Sequence, residues 1–72
     1  MSVSFRYSEV ERMLKKCAPS FEARRTTHGR SISYAGNTYR NFPKHDEIER
    51  GHIAKMARHF GILDCAKAFG VA

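Results

Sequence analysis

Four histidines, His28, His45, His52 and His59, are the residues in this 72-residue sequence best suited to chemistry. Imidazole titrates near neutral pH and is the usual general acid or base. A metal centre is the first use to weigh, and the spacing does not support one. The chain has no Cys-x-x-Cys, His-x-x-x-His or His-Glu-x-x-His pattern. His52 and His59 lie two turns apart on one expected helix, about 10 Å of rise, too far to share an ion. Neither a metal nor a cofactor is expected. His28 stands apart because of its neighbours. It lies between Thr27 and Gly29, where one expected strand turns into the next, with Arg24, Arg25 and Arg30 close in sequence. Arginines suit a phosphodiester backbone, and the imidazole can take or give a proton at a 2′-hydroxyl or a leaving oxygen. The plainer alternative for a lone histidine is a solvated loop residue.

The elements that must position these residues follow from periodicity. Ser8-Glu9-Val10-Glu11 has the spacing of a capping box, and Val10, Met13, Leu14 and Cys17 then form one helical face, ended by Pro19. Residues 20–42 read as three strands. Phe21 and Ala23 alternate with charged residues to about Thr27, Ile32 and Tyr34 alternate with Ser31 and Ser33, and Thr38 to Phe42 follow. Gly36-Asn37 supplies turn chemistry between the last two strands. A two-residue loop there pairs Tyr34 with Tyr39 and puts Phe42 on the wrong face, which a bulge or a longer loop would correct. The main helix is expected from near Arg50 to Gly61, with Ile48 as a separate anchor into the core. A short last helix, Cys65 to Phe69, is capped by Asp64 and ended by Gly70. Residues 1–7 read as a lead-in. The expected fold is α+β, one domain over 1–72: a three-stranded antiparallel sheet with both helices on one face, the layout of double-stranded-RNA-binding-like folds.

Composition narrows the possible functions. The chain carries 13 Lys+Arg against 7 Asp+Glu, a formal charge of +6, which favours a polyanionic partner. Candidate phosphate contacts are Arg24, Arg25, Arg30 and Lys44, with Lys55 and Arg58 on the polar face of the main helix. That face is equally read as ordinary solvated surface. The length excludes a multidomain enzyme with a deep cofactor cleft. No apolar run approaches the ~20 residues of a membrane span, and Arg6, Glu9, Glu11 and Arg12 interrupt any signal-peptide core. Cys17 and Cys65 are expected as reduced cysteines of a cytoplasmic protein, although two cysteines can also form one bridge.

The order of motifs resembles the HicA (YcfA-like) mRNA interferase toxins of toxin–antitoxin pairs. Leu14 in the first helix, Thr26-Thr27-His28, the Gly36-Asn37 hairpin, Pro43-Lys44-His45, Glu47-Ile48, Gly51 and Gly61-Ile62 follow the family's sequence of features over roughly residues 8–69. The family's Gly-Ser before the histidine is Thr26-Thr27 here, and its Thr after the helix-opening Gly is His52. The resemblance implies a double-stranded-RNA-binding-like fold, mRNA cleavage with His28 as the essential catalytic residue, His45 in support, and a HicB-type antitoxin that covers the site. The competing expectation is a non-catalytic RNA- or protein-binding module of the same fold.

Overall fold

A computed structural model describes residues 3–72. Two short strands and three helices surround one antiparallel sheet. The order is β1 (Ser4–Arg6), α1 (Tyr7–Cys17), β2 (Glu22–Thr26), β3 (Gly29–Tyr34), β4 (Asn37–Phe42), β5 (Glu47–Glu49), α2 (Arg50–Phe60) and α3 (Leu63–Phe69). The main sheet runs β2-β3-β4, and β1 pairs only with β5. The expected α+β class and three-stranded sheet are therefore present, with a second, two-stranded ribbon that the sequence did not suggest.

The core is the meeting of three apolar faces. Val10, Met13 and Leu14 from α1 and Ile53, Met56, Ala57 and Phe60 from α2 lie at helical spacing and are buried against Ile32 and Phe42 of the sheet. Ala66 of α3 and Val71 after it close the same cluster. Tyr34 meets Phe60 edge-on across the sheet–helix boundary, with ring centroids 6.0 Å apart. The expected start of the main helix at Arg50 and the separate burial of Ile48 both hold. Gly61 and Gly70 end their helices in left-handed conformation, at φ of 73° and 97°, as C′ glycines do.

Three local expectations need correction. Neither the Ser8–Glu11 capping box nor the Asp64 cap is used: α1 begins at Tyr7 and α3 at Leu63, neither with a side-chain cap. The ribbon replaces the first of them. β1 and β5 pair as Ser4–Glu49, Phe5–Ile48 and Arg6–Glu47, and each strand runs straight into a helix. The Tyr7 N–H then donates to the Asp46 carbonyl at 2.8 Å, and the Arg50 N–H to the Val3 carbonyl at 2.9 Å. The first of the free N–H groups of α1 and of α2 is thus satisfied by a carbonyl flanking the opposite strand.

The second correction concerns the β3–β4 turn, which is Ala35-Gly36 rather than Gly36-Asn37. Ala35 at φ 51° and Gly36 at φ 83° give positive φ at both central positions, as a type I′ hairpin turn requires. Tyr34 therefore pairs with Asn37 and Ile32 with Tyr39. The two registers differ by two residues, so every side chain keeps its face. The register then shifts so that Arg30 opposes Phe42. Of the bulge and the longer loop that would bring Phe42 to the buried face, the structure has the bulge, and Asn41 absorbs it at φ 62°.

The third is that Cys17 and Cys65 form a disulfide, not a reduced pair. The end of α1 packs beside the start of α3, bringing the two Cα atoms to 5.8 Å, inside the range a bridge spans. Forty-eight residues separate the two cysteines, so nothing local in sequence reports their proximity.

Two stability outcomes follow. Reduction, or Cys17→Ser with Cys65→Ser, releases a 48-residue loop in the unfolded chain and should lower the unfolding free energy by about 4 kcal/mol, read from urea melts. Ala35→Asn places a residue tolerant of left-handed backbone at the turn and should raise it by about 0.5–1 kcal/mol in the same assay.

Candidate nucleic-acid interface

Both helices lie on one side of the main sheet, and the other side is open. Strand alternation decides what it shows. Glu22, Arg24 and Thr26 of β2, Ser31 and Ser33 of β3, and Thr38 with Arg40 of β4 line the open face. Glu22, Arg24, Ser31, Ser33, Thr38 and Arg40 border a shallow groove of about 520 Å³. Its floor is made of small hydroxyl residues, and the Ser33 and Thr38 hydroxyls share a hydrogen bond of 3.1 Å across the strands. Two guanidinium groups flank it against one carboxylate.

His28 stands at one end of this face. It is exposed in the two-residue turn between β2 and β3, as the sequence suggested. The Thr26 hydroxyl steadies this turn by donating to the Gly29 carbonyl at 3.1 Å. His28 shares a hollow of about 280 Å³ with Thr26, Ser31, Arg40 and Asn41. Ser31 and Arg40 border both this hollow and the larger groove, so the two are continuous. Arg40 and Asn41 were not among the expected site residues. Asn41 owes its place to the β4 bulge, which the sequence left open, whereas Arg40 takes the open face by alternation with Tyr39.

Gly29 explains why the bulge and the histidine turn stay together. Its φ is +154°, and a Cβ there would stand 2.5 Å from the Phe42 carbonyl oxygen. The turn backbone therefore presses against the bulge where only glycine fits.

The three expected arginines separate. Arg24 is on the open face. Arg25 is exposed on the opposite face of β2, where it pairs with Arg30 across the strands. Arg30 departs from the expected phosphate contact, because it is only 9% exposed. Its guanidinium stacks 3.6 Å from the centre of the Tyr7 ring and donates to the Pro43 carbonyl at 2.8 Å and the His45 carbonyl at 3.2 Å. Burial, then the Glu11 carboxylate, pushes the Tyr7 phenol above its ordinary range, and the Arg30 charge partly offsets this. Arg30 therefore organises the 43–46 connection instead of reaching solvent.

That connection brings exposed Lys44 and His45 to the same end of the sheet as His28, since Arg30 follows Gly29 and holds their backbone. His45 does not border the His28 hollow. Lys55 and Arg58 are exposed on α2, on the covered side of the sheet, and are not brought to the groove. His59 has a structural part: its Nε2 lies 3.0 Å from the Thr38 carbonyl oxygen, and its ring meets Tyr39 and Phe60. Among the described residues, no three His, Cys, Asp or Glu side chains gather as metal ligands do. Among the same residues, no helix is long and apolar enough to cross a membrane.

No protein family, curated protein or solved structure matches this chain.

The contrast between two glycines tests the packing of the turn. Gly29→Ala should cost about 2 kcal/mol or more in a denaturant melt, because the new methyl has no room. Gly51→Ala, in α2 with open space around it, should instead gain about 0.5–1 kcal/mol.

Proposed function

We propose that this protein is a small endoribonuclease that cleaves mRNA by histidine acid–base chemistry, with no metal in the reaction, and that it serves as the toxin of a toxin–antitoxin pair. The observation that carries the reading is the hollow at the end of the open sheet face, where the His28 imidazole, Arg40 and Asn41 meet and an arginine-flanked groove leads in. The motif order that resembles the HicA toxins points the same way. RNA lies along the hydroxyl floor with Arg24 and Arg40 on its phosphates. His28 takes the proton from a 2′-hydroxyl, whose oxygen attacks the adjacent phosphorus. The bond to the 5′-oxygen breaks, leaving a 2′,3′-cyclic phosphate and a free 5′-hydroxyl. Arg40 stabilises the negative charge that builds on the phosphorus oxygens. The departing oxygen needs a proton, and His45, at the same end of the sheet, is the residue assigned to give it.

A HicB-type antitoxin belongs to the proposal as the protein that covers this face, and the cytoplasm as the place of action. The Cys17–Cys65 bridge bears on that place, because cytosolic thiol pools keep most such bridges reduced. The assay is therefore run on oxidised and on reduced protein.

Purified protein incubated with single-stranded RNA in EDTA should yield cyclic-phosphate ends. His28→Ala should slow cleavage by about 10²–10⁴-fold and Arg40→Ala by about 10²-fold, with circular dichroism unchanged. Undiminished cleavage by His28→Ala would remove the assignment. Salt-dependent binding of RNA without cleavage would establish the binding-module reading in its place.

A further inference from the structure

Among the described strands, β2 alone is exposed at every residue. It hydrogen-bonds to β3 on one side and to no described strand on the other. The helices do not reach it: Ala23 and Arg25 point to the covered side of the sheet and are nonetheless exposed. The opposite edge of the sheet is managed differently. β4 carries the bulge, and the His59 imidazole meets its Thr38 carbonyl. β2 has neither device.

The backbone of β2 is arranged to take a partner. Thr26 and Gly29 close a two-residue turn, so that pair and the alternate pairs Arg24–Ser31 and Glu22–Ser33 bond inward. Ala23 and Arg25 therefore turn both N–H and C=O outward. A polypeptide offers donors and acceptors at this spacing, whereas a phosphodiester backbone offers chiefly acceptors. The charges call for an acidic polypeptide. A hollow of about 250 Å³ beside the strand is lined by Tyr7, Glu11, Ala23, Arg24, Arg25 and Arg30, so that the exposed Arg24 and Arg25 stand against one carboxylate. A second copy is disfavoured, since antiparallel pairing centred on Arg24 sets Arg24 against Arg24 between two chains of +6.

We propose that β2 accepts an extended, acidic protein segment as a fourth strand, with carboxylates of that segment facing Arg25 on the covered side of the sheet. This docking edge stands independently of the RNA-cleaving reading.

The test is an NMR titration of ¹⁵N-labelled protein with a synthetic peptide of about eight residues alternating Glu and Val, matched by a Lys–Val peptide. Shifts should concentrate on the amides of 22–26, the Ala23 and Arg25 amides should become protected from exchange, and the Lys–Val peptide should bind at least about tenfold more weakly. Ala23→Pro removes an outward donor and should weaken binding about tenfold or more. Arg25→Glu should do the same and decides the matter if Ala23→Pro fails to fold. Absence of binding, shifts located elsewhere, equal affinity for the two peptides, or unchanged affinity in folded Arg25→Glu would overturn the proposal. So would concentration-dependent protection of β2 without peptide, which would mark a second copy as the occupant.

Discussion

The buried guanidinium of Arg30 is the interaction that the site end of this molecule depends on. A charge taken from water must be matched, and here it is matched without a carboxylate. The Tyr7 ring supplies a π face on one side, and two backbone carbonyls supply acceptors. One side chain of the central strand thereby ties the first residue of α1 to the connection between β4 and β5. Remove it, and Pro43 through Asp46 lose their anchor, together with the alignment of the Asp46 carbonyl that caps α1. Arg30 also sits next to Gly29, whose backbone fits against Phe42. The order of the His28 turn, the bulge and the His45 segment is thus one linked arrangement rather than three.

The sequence disclosed what strong periodicity and punctuation disclose. Main-helix apolar residues at helical spacing, followed by Gly61, marked α2 to within a residue. The mismatch of Ile48 with that face was enough to separate it from the helix. Phe42 at the wrong parity called for a bulge or a longer loop and did not choose between them. What escaped were features made by contacts distant along the chain. β1 and β5 are three residues each, too short to show alternation, and they pair across some forty residues of chain. The disulfide depends on how α1 meets α3.

The candidate site was legible by halves for a related reason. His28 sits in a tight turn, a local feature, and was read correctly as a turn residue. Charge, however, does not say which face of a strand a side chain takes. Arg24, Arg25 and Arg30 look alike in sequence and end on the open face, the opposite face and in the interior. Asn41 came into view only once the bulge had fixed its orientation, whereas the alternation of Thr38, Tyr39 and Arg40 already put Arg40 on the open face.

The bridge between Cys17 and Cys65 has a mechanical consequence. It closes a covalent ring that contains the whole three-stranded sheet and α2. A pull applied outside residues 17–65 travels along α1, crosses the sulfur bond and leaves through α3. Such a load can peel β1 from β5, but the hairpins that carry His28, Arg24 and Arg40 lie off its path. The surface on the open face is thus insulated from tension as long as the bond is intact, and comes under tension when the bond is reduced.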